Sequence, residues 1–288
     1  MKIIIHAHIF YVDLWKEIKE YLKNLKQYKY DLFVTIANDD EELKNDILSF
    51  NPSAKIFLVE NVGFDIYPFV FFLNQVNLDD YDFIIKLHTK KDSINNTIIN
   101  NYFSLKGSVW RRYLFSILEE ENFEKNMLAF KSDKKLGMVG DFRLIVKKDL
   151  HDKKADKIAK AFMKEHNLLY KKNSSFVAGT MFIVRAKLMQ TLKNTNLNIS
   201  DFEISSSNIK GETFAHALER IFGYIVYSQG FYIDDPMHTN YEKMKYIPIK
   251  YFNIFKRFVF QVKITRNGNK IIKIFKVPIF HQTLNKNK

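Results

Sequence analysis

The feature that most constrains the fold of this chain is the alternation of short apolar runs with amphipathic stretches in its first ninety residues. The apolar runs are β-branched and too short for helices, and the stretches between them carry apolar residues at helical spacing. The predicted strands are 2–8, 30–37, 55–59 and 83–87, and the predicted helices are 13–25, 41–50 and 65–76. Strands that alternate with helices form a parallel sheet with crossover helices.

The second half of the chain continues this mixed pattern with less regular spacing. Helices are predicted at 108–120, 153–166, 213–222 and before residue 193, and strands at 136–139, 179–184 and 224–227. The predicted class is α/β, a Rossmann-type and mostly parallel sheet flanked by helices, formed by residues 1–242.

The positive charge of the chain is concentrated at its end. The 288 residues carry a net charge of +13, and residues 243–288 hold 12 Lys and Arg with no Asp or Glu. Residues 1–242 therefore hold 33 basic and 32 acidic residues, a nearly neutral body. Basic residues alternate with large apolar ones in this C-terminal extension, which predicts contact with an anionic membrane surface. A solvated edge hairpin, or a homodimer contact, is the alternative.

The structure of this basic, aromatic extension has two interpretations. Asn267-Gly268 lies between two alternating segments, which is a hairpin signal. An amphipathic helix over about 249–262 fits the same residues. No nucleic acid partner is expected, because the body is neutral and no nucleic-acid-binding module is recognisable.

Cysteine is absent from the chain, which excludes a disulfide framework and a thiolate metal site. No apolar run approaches the roughly 20 residues that span a bilayer. We expect a cytoplasmic protein that associates peripherally with the inner face of the cytoplasmic membrane.

Polar residues with functional side chains follow each of the first four predicted strands. Sites in parallel sheets lie at the carboxyl ends of the strands, so these residues are candidates for ligand binding. They are His6 and His8, Thr35 and Asn38, Asn61 with Gly63 and Asp65, and His88 with Lys90, Lys91 and Asp92.

Several segments together resemble one protein family. Residues 61–69, NVGFDIYPF, are similar to the N-x-G-R-D-I-x-P-F signature of the rhamnan synthesis protein F family. Further similar segments follow in the order of the family, at residues 6–11, 81–91, 110–112, 176–182 and 215–220. One departure is Phe64, which stands where the family has Arg. If that Arg contacts the donor, the departure changes the identity or affinity of the donor.

The resemblance implies a bacterial glycosyltransferase with a GT-A-like fold. Its donor would be a nucleotide-diphosphate sugar carrying rhamnose or a related deoxysugar, and its acceptor a lipid-linked glycan or polysaccharide. The product would be a growing cell-surface polysaccharide, such as capsule or lipopolysaccharide O-antigen, formed with inversion at the sugar.

The resemblance also bears on metal dependence. GT-A enzymes bind the metal of the donor with Asp-x-Asp at a strand end, where this chain has His88-Thr89-Lys90. An ammonium group offers no lone pair to a metal. We therefore predict that no cofactor is required, or only a weakly bound Mg²⁺ or Mn²⁺ with Asp92 as one ligand. Lys90 or Lys91 would neutralise the diphosphate, helped by Arg111 or Arg112; otherwise these lysines are surface residues.

The catalytic base would be an acidic residue or a histidine near the start of a late helix. Glu212 is the first candidate because inverting GT-A enzymes place an acid there, with His216 one helical turn later and Glu203 as a further candidate. Asp201 and Glu219 are weaker candidates, and Glu219 with Arg220 also fits a helix-surface ion pair.

The remaining candidates have structural alternatives. His6 and His8 face the same side of one strand and could ligate a metal, but no third ligand is assignable, which favours nucleotide or phosphate contact. Asp65 would bind the donor or cap a helix. Gly179 would allow a close approach of backbone to ligand or a tight strand entry. The residues predicted to bind the donor are His6, His8, Thr35, Asn38, Asn61, Gly63, Asp65, His88, Lys90, Lys91, Arg111, Gly179, Thr180 and Arg220.

Two other functions fit the same sequence. One is a transferase of the same fold that moves a different group. The other is a catalytically inactive glycan-binding or scaffold subunit of a polysaccharide assembly complex, which Phe64 and the missing acidic metal motif favour.

Overall fold

The computed structural model describes nine stretches of the chain. They are residues 1–91, 97–99, 103–105, 107–147, 153–203, 214–246, 259–264, 269–274 and 277–283. The chain forms two compact units, one of residues 1–100 with 105–237 and one of residues 101–104 with 238–288.

Eleven strands precede residue 238 in the part of the chain that the structure describes. They are β1 Ile3–Ile9, β2 Tyr30–Ile36, β3 Lys55–Leu58, β4 Phe83–His88, β5 Thr97–Ile99, β6 Phe103–Leu105, β7 Leu136–Val139, β8 Ile145–Lys147, β9 Ser175–Val177, β10 Phe182–Arg185 and β11 Tyr232–Asp234. Seven of them form the main sheet of the first unit, in the order β11-β7-β10-β4-β1-β2-β3.

The main sheet is parallel except for β10, which runs antiparallel to both neighbours, β4 and β7. The strands β1 and β4 lie at the centre and are buried along their whole length, which explains why their sequences are almost entirely apolar. The prediction of a mostly parallel α/β sheet flanked by helices is confirmed.

The described helices are α1 Trp15–Lys23, α2 Glu41–Phe50, α3 Ile66–Gln75, α4 Gly107–Phe115, α5 Glu120–Ser132, α6 Lys153–Glu165, α7 Ala186–Lys193, α8 Ser200–Glu203 and α9 Phe214–Ser228. Short 3-10 turns lie at Val12–Leu14, Leu78–Asp80 and Ser116–Leu118. At α2 the side chain of Asp40 accepts a hydrogen bond from the amide of Leu43, the N-cap that ends the preceding loop.

The prediction of a helix followed by a strand at 213–222 and 224–227 is wrong. Residues Phe214–Ser228 form one helix, α9, which is buried over most of its length. A continuous apolar run cannot be assigned to helix or strand by its periodicity. Gly223 lies inside this helix, where α9 packs closely on strand β9.

The strand predicted at 179–184 also differs from the structure. Residues Ser175–Val177 form β9, which pairs antiparallel with β8, and β10 begins only at Phe182. The residues between them make a turn, because Gly179 and Thr180 both have positive φ.

The second unit contains a three-stranded antiparallel sheet of β12 Phe260–Ile264, β13 Asn269–Ile274 and β14 Val277–Thr283. β12 and β13 are antiparallel neighbours on either side of Asn267-Gly268, which lie outside the described residues, as does most of the alternative helix at 249–262. The proposed boundary at residue 242 stays a prediction. Among the described helices, none has the length and apolar character needed to cross a bilayer.

We expect Gly223→Ala to destabilise the first unit. An added Cβ would lie 2.1 Å from the carbonyl oxygen of Ser175 and 2.7 Å from Cα of Phe176, which are backbone atoms that cannot rotate away. The expected loss is about 3 kcal/mol in the free energy of unfolding, measured by urea denaturation.

Gly230→Ala is the matched control, because its added methyl group meets nothing within 4 Å and only the positive φ of 80° opposes it. That change should cost about 1 kcal/mol. Equal losses in the two variants would refute the packing of α9 on β9.

Candidate functional site

The topology of the main sheet brings six loops to one edge. The first four strands, β1 to β4, all run in the same direction. β10 is antiparallel to both β4 and β7, so β7 has the same direction as β4, and β11 is parallel to β7. The loops that follow these strands therefore meet at the carboxyl edge of the sheet. The turn that precedes the antiparallel strand β10 reaches the same edge.

The centre of this edge is a cluster of Asp65, Lys86 and Thr180. Lys86 lies on the central strand β4, and its side chain is fully buried. Its Nζ donates to Oδ2 of Asp65 at 2.5 Å and to Oγ1 of Thr180 at 2.9 Å. The hydroxyl of Thr180 also donates to Oδ2 of Asp65. One carboxylate oxygen thus joins the loop before α3 to the turn before β10.

Both loops that meet at Asp65 have left-handed backbone. Gly63 and Phe64 have φ of 62° and 59°, and Gly179 and Thr180 have φ of 84° and 55°. Left-handed backbone costs a residue other than glycine about 1–2 kcal/mol, and it is least favourable for a β-branched residue such as Thr180. Strained backbone of this kind persists only where surrounding contacts fix it, and the hydrogen bonds of the cluster supply such contacts here.

Asp65 stands at the N-cap position of α3, but its side chain makes no capping hydrogen bond. Its contacts to Lys86, to Thr180 and to Nδ1 of His88, at 3.5 Å, all use Oδ2. The capping role considered for Asp65 is therefore wrong. The carboxylate is 20% exposed, so it also reaches the surface of the cleft.

The charges of this pair are coupled. Burial raises the pKa of Asp65, but the His88 ring, the Lys86 ammonium and the hydrogen bonds from Lys86 and Thr180 outweigh burial and hold the pKa well below its usual range. Burial lowers the pKa of Lys86, and the attraction of Asp65 opposes that shift. The result is an ion pair beneath the cleft.

Three buried histidines flank the ion pair. Oγ1 of Thr35 lies 3.0 Å from Nε2 of His6 and 3.0 Å from Nδ1 of His8. The hydroxyl has a single proton, so it donates to one ring and accepts from the N–H of the other. Burial lowers the pKa of His8 to about 4 and that of His88 to about 3, and it holds the pKa of His6 well below its usual value. All three are neutral at pH 7.

The predicted facing of His6 and His8 toward one side of β1 agrees with their shared partner. His6 is buried and stacks on Phe72 at 4.9 Å between ring centroids, so it lies in the core below the cleft.

Two lysines follow β4 and lie on aromatic rings. Nζ of Lys90 lies 4.1 Å from the ring centroid of Trp110, and Nζ of Lys91 lies 4.8 Å from that of Tyr11. Arg111 forms an ion pair with Glu17 at 2.8 Å and donates to the carbonyl oxygen of Lys90 at 3.2 Å. Arg111 therefore supports the lysine loop from below.

Helix α9 contributes three candidate residues to this edge. Glu219 Oε1 accepts from the amide of Gly179 at 2.7 Å, which fixes the left-handed turn. Arg220 is buried and donates to the carbonyl oxygen of His216 at 2.6 Å. The ring of His216 meets that of Phe64 edge to face, at 5.7 Å between centroids.

The other base and metal candidates are less fully described. Glu212 and Asp92 lie outside the described residues. Glu203 is the last residue of α8.

A cavity of about 440 Å³ lies at the carboxyl ends of β2 and β3. It is lined by Ala37, Asn38, Asp39, Leu58, Val59 and Glu60. Asn38, in this lining, and Asn61, which follows β3, are both exposed, and their role in ligand binding stays a prediction. A larger cavity, about 670 Å³, includes Asp82 and Arg185 and lies at the opposite edge of the sheet.

Sequence reasoning missed two buried carboxylates at the same edge. Asp141 follows β7 and Asp235 follows β11, and an oxygen of one lies within 4.8 Å of an oxygen of the other. The signal in the sequence was Asp234-Asp235 with His238 three residues later, which are ligand types that divalent cations accept. Asp141 already binds the guanidinium of Arg143, so a cation would have to compete with that group.

The buried neutral histidines predict acid sensitivity. Their pKa values are lower in the folded than in the unfolded chain, so unfolding takes up protons. The free energy of unfolding therefore decreases as the pH is lowered. The free energy of unfolding should be flat above pH 7. Below pH 6.5 each histidine should remove about 1.4 kcal/mol per pH unit, down to about pH 4 for His8 and about pH 3 for His88.

Urea denaturation across this pH range measures the slope. His8→Gln should reduce it by about one proton, whatever its effect on stability at pH 7. An unchanged slope in that variant would contradict the neutral buried state of His8.

The chain is 28% identical over 179 residues to the uncharacterized protein WxcX in two strains of Xanthomonas campestris pv. campestris. That alignment covers 62% of this chain, and the chain spans 24% of the length of these curated relatives.

Similar solved structures include an active-site mutant of LgtC, with 10% identity and a TM-score of 0.38 over 81% of this chain and 72% of that one. The galactosyltransferase LgtC in complex with donor and acceptor sugar analogs is 10% identical, with a TM-score of 0.36 over 81% of this chain and 73% of that one. Residues 1–349 of S. aureus TarS are 11% identical, with a TM-score of 0.33 over 95% of this chain and 97% of that one.

The sequence profile of rhamnan synthesis protein F matches residues 1–231, which are most of the first unit and include Asp65, Lys86 and Thr180. This confirms the resemblance carried by the NVGFDIYPF segment and by the ordered motifs around it. The chain belongs to the rhamnan synthesis protein F family.

Proposed function

We propose that this chain is a glycosyltransferase that moves rhamnose or a related deoxysugar from a nucleotide-diphosphate donor to a growing cell-surface polysaccharide, with inversion. The observation that carries the proposal is the ionised Asp65, held by Lys86 and Thr180 between two strained turns at the carboxyl edge of the sheet. Membership in the rhamnan synthesis protein F family supports the same reading.

The sugar of the donor would lie over Asp65. The contacts of this carboxylate among the described residues use Oδ2, which leaves Oδ1 to accept hydrogen bonds from sugar hydroxyls. Such charge-assisted hydrogen bonds are short and directional. A carboxylate fixed in advance spends no free energy on reorganisation when the sugar binds.

The nucleoside would lie in the cavity at the ends of β2 and β3. Asn38 and Asp39 offer amide and carboxylate groups to a ribose or base, and Leu58 and Val59 offer an apolar wall. Small-molecule sites commonly combine an apolar surface with a few polar groups of this kind.

The diphosphate would be neutralised by Lys90 and Lys91. Both ammonium groups stand on aromatic rings at the end of β4, and Arg111 holds the backbone of Lys90. Cations aimed at a developing negative charge stabilise the transition state for loss of the diphosphate.

In the transfer step the acceptor oxygen bonds to the anomeric carbon of the sugar as the bond from that carbon to the diphosphate oxygen breaks. The electron pair of the broken bond leaves with the nucleoside diphosphate, and a general base takes the proton of the acceptor hydroxyl. Glu212 is our first candidate for this base, with His216 and Glu203 as alternatives.

A divalent cation would neutralise the same diphosphate if one binds. Asp141 and Asp235 are the carboxylates that would hold it, and it would act as a Lewis acid on the diphosphate oxygens. Because the guanidinium of Arg143 already pairs with the carboxylate of Asp141, we assign neutralisation of the diphosphate charge to Lys90 and Lys91. Peripheral contact of residues 243–288 with an anionic membrane surface, where a lipid-linked acceptor would lie, also belongs to the proposal.

Thermal-shift measurements test the proposal. The purified chain would be heated with nucleoside diphosphates and nucleotide sugars, in EDTA and in Mg²⁺ or Mn²⁺. A ligand at 100 times its Kd stabilises the fold by about 2.7 kcal/mol, which raises the Tm by a few degrees. We expect one nucleotide series to raise the Tm in EDTA. Lys90→Met should reduce the shift, while Lys134→Met, at the opposite edge of the sheet, should preserve it.

A rise in Tm that requires metal would contradict neutralisation of the diphosphate by Lys90 and Lys91, but it would still support the transferase function. Asp235→Asn should then abolish it, with Asp234→Asn as the adjacent control. No shift with any nucleotide would contradict the proposed function and favour a glycan-binding subunit.

A further inference from the structure

Phe64 is a large apolar side chain held on the surface of the candidate site. Its side chain is 61% exposed, although Asp65, the next residue, is largely buried in the ionic cluster. Its φ of 59° lies in the left-handed region, which costs a residue other than glycine about 1–2 kcal/mol. Neither burial nor backbone conformation favours phenylalanine here, and glycine would fit the backbone better.

An aromatic cluster lies beside Gly63, the residue that precedes Phe64. Tyr67, Phe202 and Phe214 pack together at 5.4 Å and 5.6 Å between successive ring centroids. The Phe202 ring fills the space beside Gly63, where an added Cβ would lie 2.4 Å from it. Phe64 instead meets the ring of His216 edge to face.

A largely exposed aromatic ring thus directly precedes, in the chain, the carboxylate of the ionic cluster. A pyranose ring has an apolar face of C–H groups and an edge of hydroxyl groups. The C–H face packs on an aromatic ring and the hydroxyls donate to carboxylate oxygens. Phe64 supplies the first contact, and the Oδ1 atom of Asp65 supplies the second within one residue of it.

We propose that Phe64, whose ring lies at a steep angle to that of His216, is a stacking platform for the pyranose ring of a sugar and determines which sugar the site accepts. This inference rests on the proposed function for its placement at the donor or acceptor sugar. Sugar binding itself can be measured without any nucleotide, so the two proposals can fail separately.

The first experiment measures free sugar binding. Saturation-transfer NMR would be recorded with methyl hexopyranosides and methyl 6-deoxyhexopyranosides, methyl rhamnopyranoside among them. Phe64→Gly and Phe64→Leu should weaken binding by about fivefold or more, and Phe64→Trp should retain it. Leu128→Ala, at an equally exposed leucine on α5, is the control and should change nothing.

Phe64→Gly also separates binding from structure. Because glycine relieves the left-handed strain, this variant should melt at or above the temperature of the unsubstituted protein while its sugar binding falls. A lower melting temperature would overturn the proposal in favour of a structural role for the ring.

The second experiment distinguishes donor from acceptor by calorimetry. Weaker binding of a nucleotide sugar in Phe64→Gly, with unchanged binding of the nucleoside diphosphate, places the donor sugar on the platform. Weaker binding of the methyl glycosides alone places the acceptor there. Equal weakening for the nucleoside diphosphate indicates that Phe64 contacts the nucleobase instead of a sugar, which overturns the proposal. Unchanged binding of every ligand also overturns it. If no nucleotide binds but the glycosides do, the proposed function fails and the platform stands.

Discussion

The candidate site depends on one buried ion pair, Lys86 with Asp65. A lysine on the central strand has lost its water, and an ammonium group in that position needs an anionic partner. Asp65, on the loop before α3, supplies the partner, and Thr180, in the turn before β10, donates to the same carboxylate oxygen. Both segments adopt left-handed backbone in doing so. The requirement of one buried charge thus shapes two loops and leaves a carboxylate oxygen and an aromatic ring, that of Phe64, at the surface of the cleft.

Much of the fold followed from local sequence pattern. Short β-branched runs alternating with amphipathic stretches predicted the first four strands and three helices, because burial on both faces of a central strand leaves no other composition. The pattern was insufficient at α9, where a helix buried on nearly all sides has no polar face to show its period. It was also insufficient before β10, because the turn at Gly179 and Thr180 is fixed by contacts from Asp65 and Glu219, which are distant in sequence.

The site was predictable as an edge of the sheet and less so as a set of contacts. The topology rule brought His8, Asp65, His88 and Lys90 to one edge, where the structure has them. It could not show that Lys86, inside an apolar strand, would be the partner of Asp65. A single lysine in the run Phe83–His88 was the available signal, since such a residue stays buried only when paired.

The measurement that tests this account most directly is a double-mutant cycle between Asp65→Asn and Lys86→Met, read as the free energy of unfolding in urea. Each single change leaves a buried charge without its partner and should cost about 3 kcal/mol or more. If the pair organises the site, the double variant should lose no more than either single variant. Losses that add would show that the two side chains act independently, and that the turns at Phe64 and Thr180 are held by something else.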